Sequence, residues 1–328
     1  FNSKKALEAM VFTAKINELA KQRYATQGFI SSDQEPESVS KTLEYAYDDF
    51  CISAMAKAMG EELIANEFEK RSYNFLNIHD PSTGFMRAKR GAQWYDPFNP
   101  SEVNFNYTEA NSWQYSLYAP QHIETLTQLL GGKDKLEVWL DSLFLSTTKL
   151  DGREQADITG LIGQYAHGNE PSHHMAYLYN YTNNPSKTQF FVDSIQRSMY
   201  SNQADGLSGN EDCGQMSAWY VMSALGFYPV TPGIPSYQIG RPLFNKAVIN
   251  LENGNKFEIT TQNNNVKNKY IDHIELNNEI FRGTTLSHES IMKGGSLVFF
   301  MTDKEPLKTI LDKTVRPTVA VPLNFTPV

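Results

Sequence analysis

Apolar residues recur at helical spacing over most of the first two thirds of this chain. The repeat runs over residues 4–20, Ser38 to Met59 and Glu61 to Ile78. It resumes at Ala110 to Leu130 and at Lys133 to Leu145, with Gly131-Gly132 between them. Three more helical runs follow at Ser172–Tyr181, Ser186–Tyr200 and Glu211–Leu225. Gly226 fits a helix C-cap, and Pro229 forbids continuation. Pro81-Ser82-Thr83-Gly84 breaks the third run, and Arg87 to Tyr107 and residues 151–170 read as long loops. Loops of that length inside a compact domain are usually functional or disordered. Trp94, Tyr95, Phe98 and Phe105 argue that the first is ordered.

After Thr231-Pro232-Gly233 the period changes. Short β-rich runs at 247–249, 257–260, 270–274 and 296–300 are separated by Asn- and Gly-rich turns. The layout is therefore mostly α: a helical region over 1–230 and a small antiparallel β module over 231–328. Paired helices with polar loops between the pairs suit an α/α toroid of helical hairpins, whose loops gather a site at one rim. A closed ring of six hairpins needs more helices than these runs supply, so the toroid is expected to be N-terminally incomplete in this chain.

Composition narrows the picture only a little. Hydrophobic residues at 40% and charged residues at 20% describe an ordinary globular protein. The net charge of −8 leaves no basic footprint and argues against a nucleic-acid partner. No apolar stretch approaches the ~18 residues needed to span a bilayer. Cys51 and Cys213 lie in helical patterns among apolar residues and read as buried free thiols.

The chemistry concentrates in three polar runs. The first holds Glu109 just before a helix whose first turn carries Trp113 and Gln114. A helix N-terminus favours its carboxylate form, while a neighbouring aromatic raises its pKa by desolvation. A proton donor needs the second effect to win. The second run, Gly168-Asn169-Glu170-Pro171-Ser172-His173-His174, has Pro171 at a helix start. Asn169 and Glu170 form an oxygen-rich pair suited to a hard cation such as Ca²⁺. His173 and His174 are adjacent, without the i, i+4 spacing that zinc needs on a helix. The third run, Gly209-Asn210-Glu211-Asp212-Cys213-Gly214, sets two acids at a helix mouth, where Asp212 is placed either to cap the helix or to take a proton from water.

Two carboxyl groups flanking one bond are what glycoside hydrolysis requires. Other candidates for the pocket are Asp48 and Asp49, as sugar-binding acids on a predicted helix, and Asp157 and Gln164, which flank a loop. Arg87 is placed either to bind a hydroxyl or to hold Asp48 or Asp49. No Ser-His-Asp order, Walker loop or dinucleotide-binding glycine motif is visible.

At these residues the chain resembles glycoside hydrolase family 92, the calcium-dependent exo-α-mannosidases. The matching runs are Ser38 to Asp49, Gly84 to Arg87, Thr108 to Tyr115, Asp157 to His174, Gly209 to Trp219, Gly226 to Pro229 and Tyr237 to Phe244, in order, from about residue 35 to near the end. The resemblance implies an N-terminal β-sandwich domain ahead of a six-hairpin catalytic toroid, with this chain as the latter part. It implies Glu109 as general acid and Asp212 as general base, with inversion; Glu211, beside the base, is read as assisting it. It also implies Ca²⁺ at the mannose hydroxyls, held at Asn169, Glu170 and Asp212. Asp48, Asp49, Arg87, Trp113, Gln114, His173 and His174 are then the sugar-binding candidates. A mannose-containing glycan as substrate and a secreted, periplasmic or surface location follow from the same resemblance. Two positions depart from the family pattern. Ala110 stands where Gly is usual, and Pro120-Gln121-His122 where Pro-His-Asp is frequent, so the linkage preference is open. A metal-free toroid glycosidase, a glycoside phosphorylase and a non-catalytic glycan-binding remnant are the alternatives.

Overall fold

The computed structural model describes residues 1–306. The end of the expected β module, residues 307–328, lies outside the described residues. The helical region opens with α1 (Ser3–Lys15), α2 (Lys21–Gln27), α3 (Ser38–Ala58) and α4 (Glu62–Arg71). It continues with α5 (Ser112–Tyr115), α6 (Ile123–Leu129), α7 (Lys133–Leu145), α8 (Ser186–Ser198) and α9 (Gln215–Leu225). Neighbours in sequence pack as hairpins, the building unit of an α/α toroid. In α3, Val39, Leu43, Ala46, Ile52 and Ala56 recur at helical spacing and are buried. Ile52 and Ala56 meet Leu7 of α1 and Ala65 and Phe68 of α4, and Ser53 Oγ donates to the Ala65 carbonyl across the hairpin at 2.9 Å.

Five expected helices differ from the sequence reading: the run over 4–20 ends at Lys15, and the run 61–78 ends as α-helix at Arg71 and gives way to a 3₁₀ turn over Asn74–Ile78. The run 110–130 is split into α5, a 3₁₀ turn at Pro120–His122, and α6. Pro120 removes an N–H and pushes Ala119 out of the helical region, to φ −136° and ψ 58°. The run 172–181 is 3₁₀ rather than α over Met175–Tyr181. The last helix starts at Gln215, not Glu211, because Asp212, Cys213 and Gly214 all have left-handed backbone, with φ of 45°, 57° and 92°. The short helix α2 is an element that the sequence reading lacked.

The loop 87–107 is ordered, as its aromatics suggest. Arg87 sits 4.9 Å from the Phe98 ring, and Arg153 lies 4.6 Å over the Phe105 ring.

The β region carries a five-stranded sheet in the order 246–250, 256–262, 295–302, 270–276, 279–280. Its pairings are antiparallel except one: Lys256–Gln262 runs parallel to Gly295–Thr302. The parallel pair follows from the connection, because the chain crosses over through Tyr270–Leu276 before returning beside Lys256–Gln262. Phe257, Ile259, Leu297, Phe299 and Met301 alternate inward along their strands and build a second core. Phe227, two residues beyond α9, belongs to this core, so the two regions share packing. Gly226 makes the junction possible: its φ is +99°, and a Cβ there would lie 2.8 Å from the Phe299 ring.

A buried charge network also joins the regions. Arg241 is fully buried and pairs with Asp193 of α8 at 3.1 Å. Its Nη1 donates to the Pro242 carbonyl at 2.6 Å and its Nη2 to Asn264 Oδ1 at 3.0 Å. Asp193 also pairs with Arg197 at 2.8 Å. Removing one partner of such a group leaves an uncompensated buried charge. Asp193→Ala is expected to destabilise the fold by about 3–5 kcal/mol, read as a lower denaturant midpoint, whereas Lys246→Ala at an exposed pair should cost under about 1 kcal/mol.

Candidate active site

Glu109 sits on a tightly held loop rather than at a helix start. Its backbone is left-handed, with φ +50°. On one side the Thr108 N–H donates to Ser40 Oγ of α3 at 2.8 Å, and on the other Ala110 is buried. The helix cap belongs to Asn111. Its side chain accepts from the Gln114 N–H, and the Gln114 side chain accepts from the Asn111 N–H, forming a capping box. Asn111 Nδ2 also donates to Gln164 Oε1 at 2.9 Å, tying this loop to the loop 151–170. The carboxylate of Glu109 accepts from Asn169 Nδ2 at 3.4 Å.

Asp212 reaches the same place from a third loop. Three successive left-handed residues, beginning with Asp212, separate it from α9, and the Gln215 N–H donates to its carbonyl at 3.2 Å. Glu211 anchors this loop. Its two carboxylate oxygens accept from the Ser217 N–H at 3.0 Å and from Ser217 Oγ at 2.8 Å. These bonds hold its carboxyl below the ordinary range. Glu211 is therefore a cap for the first turn of α9, not a free second acid.

The carboxylates feel one another. Burial pushes the Glu109 carboxyl above its ordinary value, and Asp157 and then Asp212 and Glu37 push it further, against the Asn169 amide. Burial likewise raises Glu170, whose own backbone N–H opposes, while Asp212 and Glu109 add to the rise. Glu109, Glu170, Asp212 and Asp157 thus converge from three loops at one rim, two of them above the ordinary carboxylate range.

Several predicted sugar-binding residues stand elsewhere. Gln114 is buried within its capping box, and its Nε2 donates to the Gln164 carbonyl at 3.3 Å. Trp113 packs edge-on to Phe85 at 4.7 Å and against Trp139 at 5.1 Å, facing a cleft that holds none of the clustered acids. Arg87 is buried and pairs with Asp80 at 2.9 Å, not with Asp48 or Asp49. Asp49 is instead held by Arg71 at 2.9 Å and by the Tyr24 hydroxyl at 3.0 Å. Burial outweighs both partners and pushes its carboxyl up to about 7. Asp48 and Asp49 line a groove of about 430 Å³ between α1, α2 and α3, apart from Glu109, Glu170 and Asp212. Cys213 is exposed beside Asp212, not buried, because the helix starts after it.

His173 and His174 are buried beneath the rim. His173 Nε2 donates to the His167 carbonyl at 2.9 Å, and Gln215 Nε2 donates to its Nδ1 at 3.1 Å. His174 Nε2 donates to the Leu117 carbonyl at 2.8 Å. Trp219, fully buried, donates its Nε1–H to the His173 carbonyl at 2.9 Å. These histidines form the floor that fixes the Asn169–Glu170 loop. What sequence reasoning missed is His167 and the role of His173 and His174 as a floor beneath the rim; Asp157 does lie with the acids, as the sequence suggests. Polar residues flanking the Gly-Asn-Glu runs were the available signal.

The chain matches the glycosyl hydrolase family 92 catalytic domain over residues 1–303 and belongs to that family. In structure it is similar to the family 92 α-mannosidase BT3965 from Bacteroides thetaiotaomicron, solved with mannoimidazole. The TM-score is 0.92 at 38% identity, covering 98% of this chain and 44% of that one. The family 92 inverting mannosidase BT2199 from the same organism aligns with a TM-score of 0.82 at 35% identity, over 93% of this chain and 44% of the other. In sequence it is 28% identical over 296 residues to an uncharacterized secreted glycosidase of Arthroderma benhamiae, covering 82% of this chain and 36% of that protein. The chain thus spans less than half the length of these relatives.

The buried histidines give a pH test. Burial lowers both His173 and His174 to about 4, below their unfolded value. As pH falls from about 6.5 towards 4, the unfolded chain takes up protons that the folded chain refuses, so stability is lost across that window. Each histidine contributes on the order of 3 kcal/mol to the loss. Denaturant unfolding of the parent across that window is expected to show the decline, and His174→Gln should make it shallower by one histidine's share, with His173, His167 and His122 keeping theirs.

Proposed function

We propose that the protein carrying this chain is an inverting exo-α-mannosidase acting on terminal α-linked mannose. Glu109 is the general acid and Asp212 the general base. The observation that carries this reading is the convergence of Glu109, Glu170 and Asp212 from three separate loops: Asn169, beside Glu170, donates to the Glu109 carboxylate at 3.4 Å, and the Asp212 charge helps raise both Glu109 and Glu170. A carboxyl raised by burial and like charge holds its proton towards neutral pH, as a leaving-group acid must. Asp212, exposed on its own loop, has access to water, as a base must. Inversion needs both groups in one pocket, on opposite faces of the sugar. The likeness to the inverting mannosidase BT2199 supports that stereochemistry. A secreted location rests on the Arthroderma relative, and no helix among the described residues is long and apolar enough to cross a membrane.

The donor chemistry also suits a hard cation. Glu170 and Asp212 supply carboxylate oxygens, and Asn169, whose Nδ2 is engaged with Glu109, leaves its Oδ1 to offer. Among the described residues no group of three or more His, Cys, Asp or Glu side chains is arranged to hold a metal. The remaining ligands would then be backbone oxygens, water, sugar hydroxyls or other parts of the full-length protein. A bound Ca²⁺ would neutralise crowded charge and orient the sugar's hydroxyls. Asn169 holds the Glu109 carboxyl towards the shared pocket, the His173 floor keeps the Glu170 loop in place, and the Glu211–Ser217 cap keeps Asp212 forward.

In the full-length protein, Glu109→Gln and Asp212→Asn are each expected to lower mannose release from α-linked mannobiose by at least about 10³-fold, with the thermal midpoint of Glu109→Gln unchanged. NMR of the first-formed sugar should show the β anomer. Near-parental turnover in either variant, or first release of the α anomer, would overturn the assignment. A calcium chelator should abolish mannose release and lower the thermal midpoint, and added Ca²⁺ should restore both. Chelator-insensitive activity would argue for a metal-free glycosidase, and phosphate-dependent cleavage for a phosphorylase.

A further inference from the structure

The loop carrying Asn169 and Glu170 and the loop carrying Asp212 meet backbone to backbone at two glycines. A Cβ built on Gly209 would lie 2.6 Å from the Gly168 carbonyl oxygen and 2.7 Å from the Gly168 Cα. A Cβ on Gly168 would strike Thr159 Oγ1 and come 2.5 Å from the Ser208 carbonyl oxygen. Real Cβ atoms do not occupy such space, so side chains at these two positions would force the loops apart. Neither glycine has a positive φ, which means that the close approach, not backbone conformation, demands glycine. Two side-chain links flank the contact. Thr159 Oγ1 donates to the Ser208 carbonyl, and Asn210 Nδ2 donates to Asp157 Oδ1 at 3.3 Å. The two sides differ in how firmly they are held. His167 and Gly168 are buried and bonded back to Gly160 and Thr159 through their N–H groups at 3.0 and 3.1 Å. Residues 210–213 are exposed. The Asp212 loop is the side that yields.

We propose that Gly168 and Gly209 are positioning residues, whose contact, clasped by Asp157 and Asn210, sets the distance of Asp212 from Glu109 and Glu170. This inference rests on the reading of Glu109 and Asp212 as acid and base. Asp157 then acts as the acceptor that holds Asn210, two residues before the base, rather than as a group that touches sugar. The same clasp explains why these loops, distant in sequence, present their carboxylates at one rim despite like charge.

The test uses the full-length protein and α-linked mannobiose. Gly209→Ala keeps every polar group and moves only the Asp212 loop. Its kcat is expected to fall about 100-fold, the loss associated with a displacement near 1 Å, while KM stays within about threefold and the thermal midpoint holds. Should this variant fold poorly, a second pair carries the test. Asp157→Ala loses both the acceptor for Asn210 and the charge beside Glu109 and should lower kcat by more than about tenfold, whereas Asp157→Asn loses the same charge but keeps an acceptor oxygen and should recover about tenfold of that loss. A folded Gly209→Ala variant with kcat within about threefold of the parent would overturn the inference, as would equal losses in Asp157→Ala and Asp157→Asn. An active parent that loses turnover in Asp212→Asn while Gly209→Ala does not would remove the clasp alone. A parent without mannose release would remove the functional reading together with it.

Discussion

Holding carboxylates close together against their mutual repulsion is the constraint on which the rim of this protein depends. Glu109 and Glu170 both sit above the ordinary carboxylate range, through burial first and neighbouring acids second. Free loops would let such groups drift apart. Here each is fixed by something rigid: Glu109 by the Ser40 and Asn111 bonds around it, Glu170 by the histidine floor, and Asp212 by the Glu211–Ser217 cap. The left-handed backbone at Glu109, Asp212 and Cys213 fits the same picture, since strained residues persist only where their surroundings over-determine them.

The floor works because its polar groups are satisfied. His167 bonds to the Tyr165 and Tyr200 hydroxyls at 2.7 Å each, His173 to Gln215, and Gln215 in turn to the Tyr228 hydroxyl at 3.1 Å. Trp219 fills the centre of this cluster, 4.4 Å from His167. Buried and fully paired polar groups specify one arrangement, which is what a site built from three loops requires. The β region steadies the far end of the same helices through Phe227 and the Asp193–Arg241 pair.

Much of this was legible in the sequence. Helical periodicity located α3, α7 and α8 within a few residues, and β-rich runs between Asn- and Gly-rich turns located the strands of the second core. Periodicity was blind to backbone that turns left-handed without glycine, so it ran the last helix back through Asp212 and Cys213. It also ran one helix across Pro120, whose effect on Ala119 is local and readable. Among site residues, Glu109, Glu170 and Asp212 come together, while Glu211 is turned to Ser217 instead. Gln114, Trp113 and Arg87 did not join them, because residue type and proximity in sequence cannot say which way a side chain faces. Asp48 and Asp49 look alike in sequence, yet only Asp49 is bonded to Arg71 and Tyr24, partners far along the chain. The Gly168–Gly209 contact was hidden for the same reason: two glycines in similar runs read as turn residues until tertiary structure lays one on the other.

Leaving-group dependence probes the division of labour between Glu109 and Asp212 most directly. A dinitrophenyl α-mannoside departs without a proton, whereas mannobiose needs one from the acid. In the full-length protein, Glu109→Gln should lose about 10³-fold or more on mannobiose yet stay within about tenfold of the parent on the activated substrate. Equal losses on the two substrates would contradict the role of Glu109 as proton donor.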